Sequence, residues 1–74
     1  MEQKLKEILI ELLKIDSLTT SDQIDKNNIK NWDSVTHLKI ILTIEKEFKI
    51  KIENNVAFTL LSYDLLKKYI SNKP

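Results

Sequence analysis

Several residue types are missing from this 74-residue chain, and each absence excludes a class of site. There is no cysteine, so neither a disulfide nor a thiolate metal site can form. Because His37 is the single histidine, we expect no metal site built on imidazoles either. No apolar run approaches the ~18 residues of a membrane span, and no signal-peptide pattern opens the chain. The sequence therefore predicts a cytoplasmic protein that does not insert into membranes.

Glycine is also absent, and proline occurs once, at Pro74. Tight β-hairpins favour Asn-Gly or Asp-Gly turns, so a chain without glycine favours an all-helical fold. Helices often end on a left-handed residue, which is usually glycine and sometimes asparagine. Asparagine should therefore take that role here, and the candidates are Asn27, Asn28, Asn31, Asn54, Asn55 and Asn72.

Charge and hydrophobic content limit the partners and the architecture. Twelve lysines, with no arginine, oppose eleven acidic residues, and a net charge of +1 gives no electrostatic reason to expect nucleic acid. Hydrophobic residues make up 42% of the chain, which argues against disorder. A chain this short rarely divides into two cores, so we expect one domain over residues 1–74, acting as a monomer.

The hydrophobic spacing predicts two helices that are separated by a long loop. A helix is predicted over residues 2–14, where Leu5, Ile8, Leu9 and Leu12 fall at helical intervals, and Ile15 directly after it continues the pattern. Residues 16–33 are polar and turn-rich, and we expect this long loop to be fixed by apolar anchors at Leu18, Ile24, Ile29 and Trp32. A second helix begins at Asp33-Ser34, which can cap it, and runs to about Phe48.

The remaining residues predict an extended connector and two further helices. Residues 49–53 alternate apolar and polar side chains, and Ile50 and Ile52 should turn inward. Residues 54–61 form a short third helix. Ser62 caps a last helix that runs to residue 72, with an inner face of Leu65, Leu66, Tyr69 and Ile70. The expected fold is a small four-helix bundle with a long loop between helices one and two.

The second helix carries more apolar surface than a core requires. At ~100° per residue, its apolar side chains cover an arc of roughly 220°, about twice the ~100° stripe of a surface helix. Ile40, Ile41, Ile44 and Phe48 form one set, and Val35, Leu38 and Leu42 form another. His37 falls in the first set, where a packed, hydrogen-bonded imidazole is the expected role and catalysis is not. The second set predicts a small partner-binding patch, unless the later helices cover it.

The stretch NWDSVTHLKIILTIEKEF, residues 31–48, resembles the signature of acyl carrier proteins. In that family an Asp-Ser-Leu-like tripeptide opens the second helix of a four-helix bundle, and Asp33-Ser34-Val35 occupies that place here. The ending Glu-Glu-Phe of the family corresponds to Glu47-Phe48 and the residues before it. The resemblance extends over nearly the whole chain.

The resemblance implies a carrier and not an enzyme. Ser34 would bear 4′-phosphopantetheine, attached as a phosphodiester by a phosphopantetheinyl transferase that uses coenzyme A, with Asp33 beside it in the cofactor-binding motif. The arm would hold an acyl group as a thioester for acyl-loading and acyl-accepting enzymes, as in fatty acid or polyketide biosynthesis. The resemblance implies partner contacts at Val35, Leu38 and Leu42. We expect Lys39, Glu45 and Lys46, on the same helix, to belong to this partner-binding surface as well. An acyl chain could lie near Ile44, Ile52, Ala57 and Leu60.

Two departures from the family pattern refine the prediction. Asn31 replaces the usual glycine two residues before the aspartate, and it can still adopt a left-handed bend. The family is typically acidic along its second helix, whereas this helix carries Lys39 and Lys46. We therefore expect partners with a mixed or partly acidic docking surface, in a specialised biosynthetic pathway.

Other functions remain open on the sequence. A peptidyl or aminoacyl carrier shares the same Asp-Ser helix start. A small helical adapter could keep Ser34 unmodified and dock through Val35, Leu38 and Leu42. A helix-turn-helix DNA binder is disfavoured, because the chain lacks arginine and has a long loop where a tight turn should be.

Overall fold

The computed structural model describes residues 2–72, which contain four α-helices and no β-strand. The helices are α1 (Glu2–Leu13), α2 (Ser34–Phe48), α3 (Asn54–Ala57) and α4 (Tyr63–Ser71). A short 3₁₀ turn (Ser21–Gln23) interrupts the long loop between α1 and α2. The all-α prediction, with its long first loop and short third helix, is confirmed.

The core lies between α1, α2 and α4, and the loops close it. Each long helix presents an aliphatic face at the spacing that the sequence predicts. The most deeply buried side chains are Leu5, Leu9 and Leu13 of α1, Ile40 and Ile44 of α2, Leu66 of α4, and Ile24 and Trp32 of the loop. At the surface, Lys4 and Glu47 link α1 to α2 through an ion pair of 3.0 Å.

Three of the four predicted loop anchors are buried or half-buried, and one is wrong. Ile24 and Trp32 are buried and Ile29 is half-buried, but Leu18 is 85% exposed. The carboxylate of Asp16 accepts a hydrogen bond from the backbone N–H of Leu18 at 2.8 Å. This local turn places Leu18 at the surface, so an isolated apolar residue in a loop was not enough to predict burial.

Backbone hydrogen bonds join the long loop to the start of α4. The N–H of Lys26 donates to the carbonyl of Leu61, and the N–H of Tyr63 donates to the carbonyl of Ile24, both at 2.9 Å. Asp25 and Ser62 form an isolated antiparallel bridge between these bonds. The loop is therefore held by paired backbone as well as by its buried side chains.

The left-handed residues are lysines, and the prediction that asparagines would take this role is wrong. Among residues 2–72, positive φ angles occur at Lys14 (56°) and Lys49 (53°). After each lysine the next N–H bonds five residues back, from Ile15 to Ile10 and from Ile50 to Glu45, which closes the end of α1 and of α2.

Asn31 also contacts the C-terminal end of α1, but through its side chain. It does not adopt the predicted left-handed bend. Its side-chain amide instead donates to the carbonyl of Leu13 at 3.0 Å, which satisfies an acceptor at the C-terminus of α1.

The second half differs from the prediction in three details. Helix α3 ends at Ala57, not at residue 61, because the hydroxyl and N–H of Thr59 both donate to the carbonyl of Val56 and turn the chain. Leu65 is 44% exposed and not part of the inner face. Tyr63 is buried in its place, at the i, i+3, i+7 spacing that it shares with Leu66 and Ile70.

Candidate functional site

The start of α2 presents an exposed serine. Asp33 precedes the helix in an extended conformation, with φ −99° and ψ −175°, and its carboxylate accepts a hydrogen bond from the N–H of Thr36 at 2.8 Å. This bond, together with one from the Thr36 side chain, lowers the pKa of Asp33 below its ordinary value of 3.8. Asp33 supplies the cap, and Ser34, the first residue of the helix, is exposed.

A pocket of about 400 Å³ opens beside Ser34, between α2 and the segment that contains α3. Its polar lining residues are Ser34, His37, Glu45, Lys51 and Asn54. The apolar lining residues are Leu38, Ile41, Leu42, Ile52, Ala57 and Phe58.

The pocket overlaps only partly with the predicted acyl-binding residues. Ile52 and Ala57 line it, whereas Ile44 and Leu60 are buried elsewhere in the core. Ile41 and Phe58 line the pocket and were missed. Phe58 is 71% exposed. Because α3 is one turn long, no hydrophobic period marked Phe58 as a surface residue in the sequence.

His37 is packed and fully hydrogen-bonded, as predicted. It is 5% exposed, its Nδ1 accepts from the indole N–H of Trp32 at 3.0 Å, and its Nε2 lies 2.7 Å from the carbonyl oxygen of Ala57. The two rings are stacked, with centroids 6.0 Å apart. Both ring nitrogens are occupied, so the imidazole has a structural role.

The predicted second apolar face of α2 is exposed. Val35, Leu38 and Leu42 are 65%, 58% and 56% exposed, so the later helices do not cover them. Lys39 and Lys46 are exposed on the same helix. The patch therefore combines aliphatic side chains with lysines, which we call the α2 patch (Val35, Leu38, Lys39, Leu42 and Lys46).

Glu45 lies at the border between this patch and the pocket. Its side chain is half-buried, and Oε2 accepts a hydrogen bond from the N–H of Ile52 at 2.7 Å. The carboxylate thus ties the segment after α2 back to the helix. This contact joins residues seven positions apart and had no signal in the sequence.

The described residues offer little for other chemistries. Between residues 2 and 72 there is no group of three or more His, Cys, Asp or Glu side chains that could hold a metal ion. Within the same range, none of the helices has the length and apolar character needed to cross a bilayer.

Comparison with known proteins finds two relatives that share nearly the whole chain. The acyl carrier protein of Karelsulcia muelleri (strain GWSS) is 32% identical over 74 aligned positions, which cover 95% of this chain and 89% of that protein. The acyl carrier protein of Cylindrotheca sp. (strain N1) is 31% identical over 71 positions, which cover 96% and 89%. A scan against models of protein families finds no match.

Proposed function

Because the chain belongs to the acyl carrier protein family, we propose that Ser34 is the residue to which 4′-phosphopantetheine is attached. The observation that carries this assignment is the exposed serine at the first residue of α2, directly after the capping Asp33. Carriers of this family are not enzymes, and they act through a transferase and through biosynthetic enzymes that load and unload them.

The residues around Ser34 fit such a group. The N-terminus of a long helix favours a phosphate, because its backbone N–H groups and its dipole are positive there. The hydroxyl is accessible to a transferase, and the pocket of about 400 Å³ lies next to it. When attached, the group supplies the thiol that thioester carriage requires and that this cysteine-free chain does not have.

The pocket supports an acyl cargo. Leu38, Ile41 and Ile52 give it a mainly apolar wall close to Ser34, which would shield an aliphatic chain from water. An aminoacyl or peptidyl cargo is the second candidate, because Glu45 and Lys51 also line the pocket and could face polar groups.

Intact-mass measurement tests the attachment. The protein is incubated with coenzyme A and a promiscuous phosphopantetheinyl transferase, and we expect a gain of one phosphopantetheinyl group. S34A should remain unmodified. S62A is the matched control, because Ser62 also stands at a helix start and its loss should leave the mass gain unchanged. An unchanged wild-type mass would favour an unmodified helical adapter that docks through the α2 patch.

We further propose that the α2 patch, together with Glu45 at its border, is the docking surface for partner enzymes of a specialised pathway. The exposed aliphatic side chains Val35, Leu38 and Leu42 supply the apolar contact. Lys39 and Lys46 favour a partner with acidic groups around an apolar depression, since opposite charges steer association.

A charge reversal tests the proposed partner. Lys39→Glu should slow loading by the cognate partner, and the slowdown should shrink as salt is added, because salt screens exposed charges over about 8–10 Å. Lys68→Glu makes the same change on α4 and should leave the loading rate unaltered. Equal rates for wild type and Lys39→Glu at low salt would contradict an acidic docking surface.

A further inference from the structure

The wall of the pocket opposite α2 is the segment 51–58, which contains α3 and which we call the α3 wall. This segment has little stability of its own. Helix α3 is four residues long, and its N-cap residue Glu53 makes no capping hydrogen bond through its side chain. A single helical turn is not stable in water without tertiary contacts. The position of this wall therefore depends on what holds it to α2.

Two side chains of α2 make polar contacts across the pocket. His37 contacts the carbonyl of Ala57, and Glu45 accepts from the N–H of Ile52, each at 2.7 Å. All four residues line the pocket. His37 and Glu45 are eight residues apart, or about 12 Å along the helix, so each holds a different end of the wall.

The contact of His37 requires one protonation state. A carbonyl oxygen only accepts, so Nε2 must carry the hydrogen that faces Ala57. The indole N–H of Trp32 only donates, so Nδ1 must be bare. The neutral Nε2–H tautomer satisfies both partners, whereas the Nδ1–H tautomer would lose both hydrogen bonds. Trp32 and Ala57 therefore select the same tautomer.

We propose that His37 is a positioning residue that holds the α3 wall against α2, with Trp32 fixing the imidazole in the tautomer that donates to Ala57. The hydrogen-bonded chain Trp32–His37–Ala57 thus links the residue two positions before Ser34 to the wall of the adjoining pocket. Its consequence for cargo rests on the proposed function: loss of the contact opens the pocket and exposes a bound acyl thioester to water.

Nitrogen NMR of the imidazole tests the tautomer on the unmodified protein. We expect the ¹⁵N shifts and two-bond couplings of His37 to report the Nε2–H tautomer. An Nδ1–H tautomer, or a rapidly averaged mixture, would overturn the proposal. This readout does not depend on Ser34 being modified, so a failure of phosphopantetheine attachment would leave the result intact.

Hydrogen exchange tests the wall. In H37F, which keeps a ring but removes both hydrogen bonds, we expect the amides of Ala57 and Leu60 to exchange roughly tenfold faster relative to those of α4. In H37Q the side-chain amide can donate to Ala57 and should restore most of the protection. I40V is the control, because it removes a buried methyl group of α2 outside the pocket and should affect the amides of α3 and α4 alike.

The outcome of these variants is decisive in either direction. Faster exchange of the Ala57 and Leu60 amides in H37F without a matching change in α4, together with recovered protection in H37Q, supports the positioning role. Equal acceleration of α3 and α4 in H37F, or protection equal to wild type, overturns it. If the carrier is loaded, H37F should also shorten the lifetime of the thioester, and this last measurement alone depends on the proposed function.

Discussion

The two faces of α2 carry similar aliphatic residues and have opposite environments. Ile40, Ile41 and Ile44 are at most 5% exposed, whereas Val35, Leu38 and Leu42 are more than half exposed. Both sets are aliphatic, so hydrophobic character does not separate them, whereas their angular position on the helix does. The comparison shows that apolar content beyond the width of the core remains at the surface, where it is available to a partner.

Truncation on the buried face should have the largest effect on stability. Ile44→Ala removes a fully buried side chain and leaves a cavity, and we expect a loss of about 2–5 kcal/mol in the free energy of unfolding. Urea unfolding monitored by circular dichroism measures it. A loss below about 1 kcal/mol would mean that the two faces differ less than their burial indicates.

Glu45 sharpens the comparison because it lies between the faces. Glu45→Ala leaves the N–H of Ile52 without its acceptor, which should cost about 1 kcal/mol of unfolding free energy. Glu45→Gln keeps an acceptor oxygen and should recover part of that loss. If both variants unfold at the same urea concentration as wild type, the carboxylate of Glu45 does not stabilise the fold. Glu45 would then group with the exposed α2 patch alone.

Truncation on the exposed face should affect docking and not folding. Leu42→Ala should change the unfolding free energy by less than about 0.5 kcal/mol. The KM for transferase modification should rise roughly fivefold to tenfold if Leu42 is central to the interface. Leu65→Ala, on α4, provides an exposed leucine outside the patch. A matching rise in its KM would show that the effect is not specific to α2.

The smallest effect concerns the helix start that both faces share. The folded pKa of Asp33 lies below its ordinary value of 3.8, so its cap contributes fully above that pH and is lost as the pH falls through the lower folded pKa. Asp33→Asn keeps a capping oxygen without the titration. Above about pH 5 the thermal midpoints of wild type and D33N should change with pH in the same way. Below about pH 4 the midpoint of wild type should fall more than that of D33N, because only the cap of wild type is protonated. Parallel curves over the whole range would contradict a titrating cap.

Long periodic segments were predictable, and isolated residues were not. The bounds of α2 and the presence of a second apolar face follow from fifteen residues that repeat one angular pattern, whereas the exposure of that face was left open by the sequence. Leu18 was assigned to the interior on apolar character, but a local turn places it at the surface. Leu65 was assigned to the inner face of the short last helix, but it is 44% exposed and Tyr63 is buried instead. Burial of a single side chain depends on neighbours that are distant in the sequence.

The candidate site was predicted unevenly for the same reason. Ser34, Asp33 and the exposed side chains of α2 lie on one continuous segment, so the sequence could place them relative to one another. The pocket requires the segment around α3, and its lining includes Lys51 and Phe58, which no local pattern connects to Ser34. The contacts from His37 to Ala57 and from Glu45 to Ile52 bridge separate segments and were likewise out of reach.

The sequence by itself determined the three long helices, the place of Ser34 at the start of α2 and the surplus apolar face of that helix, because these depend on the periodicity and on neighbouring residues. Only the tertiary structure decided how the glycine-free chain turns. The left-handed residues are Lys14 and Lys49, which stand where α1 and α2 end, and Asn31 instead binds the carbonyl of Leu13 through its side chain across eighteen positions. Tertiary contacts also positioned the one-turn α3, since a segment that short cannot fix its own place.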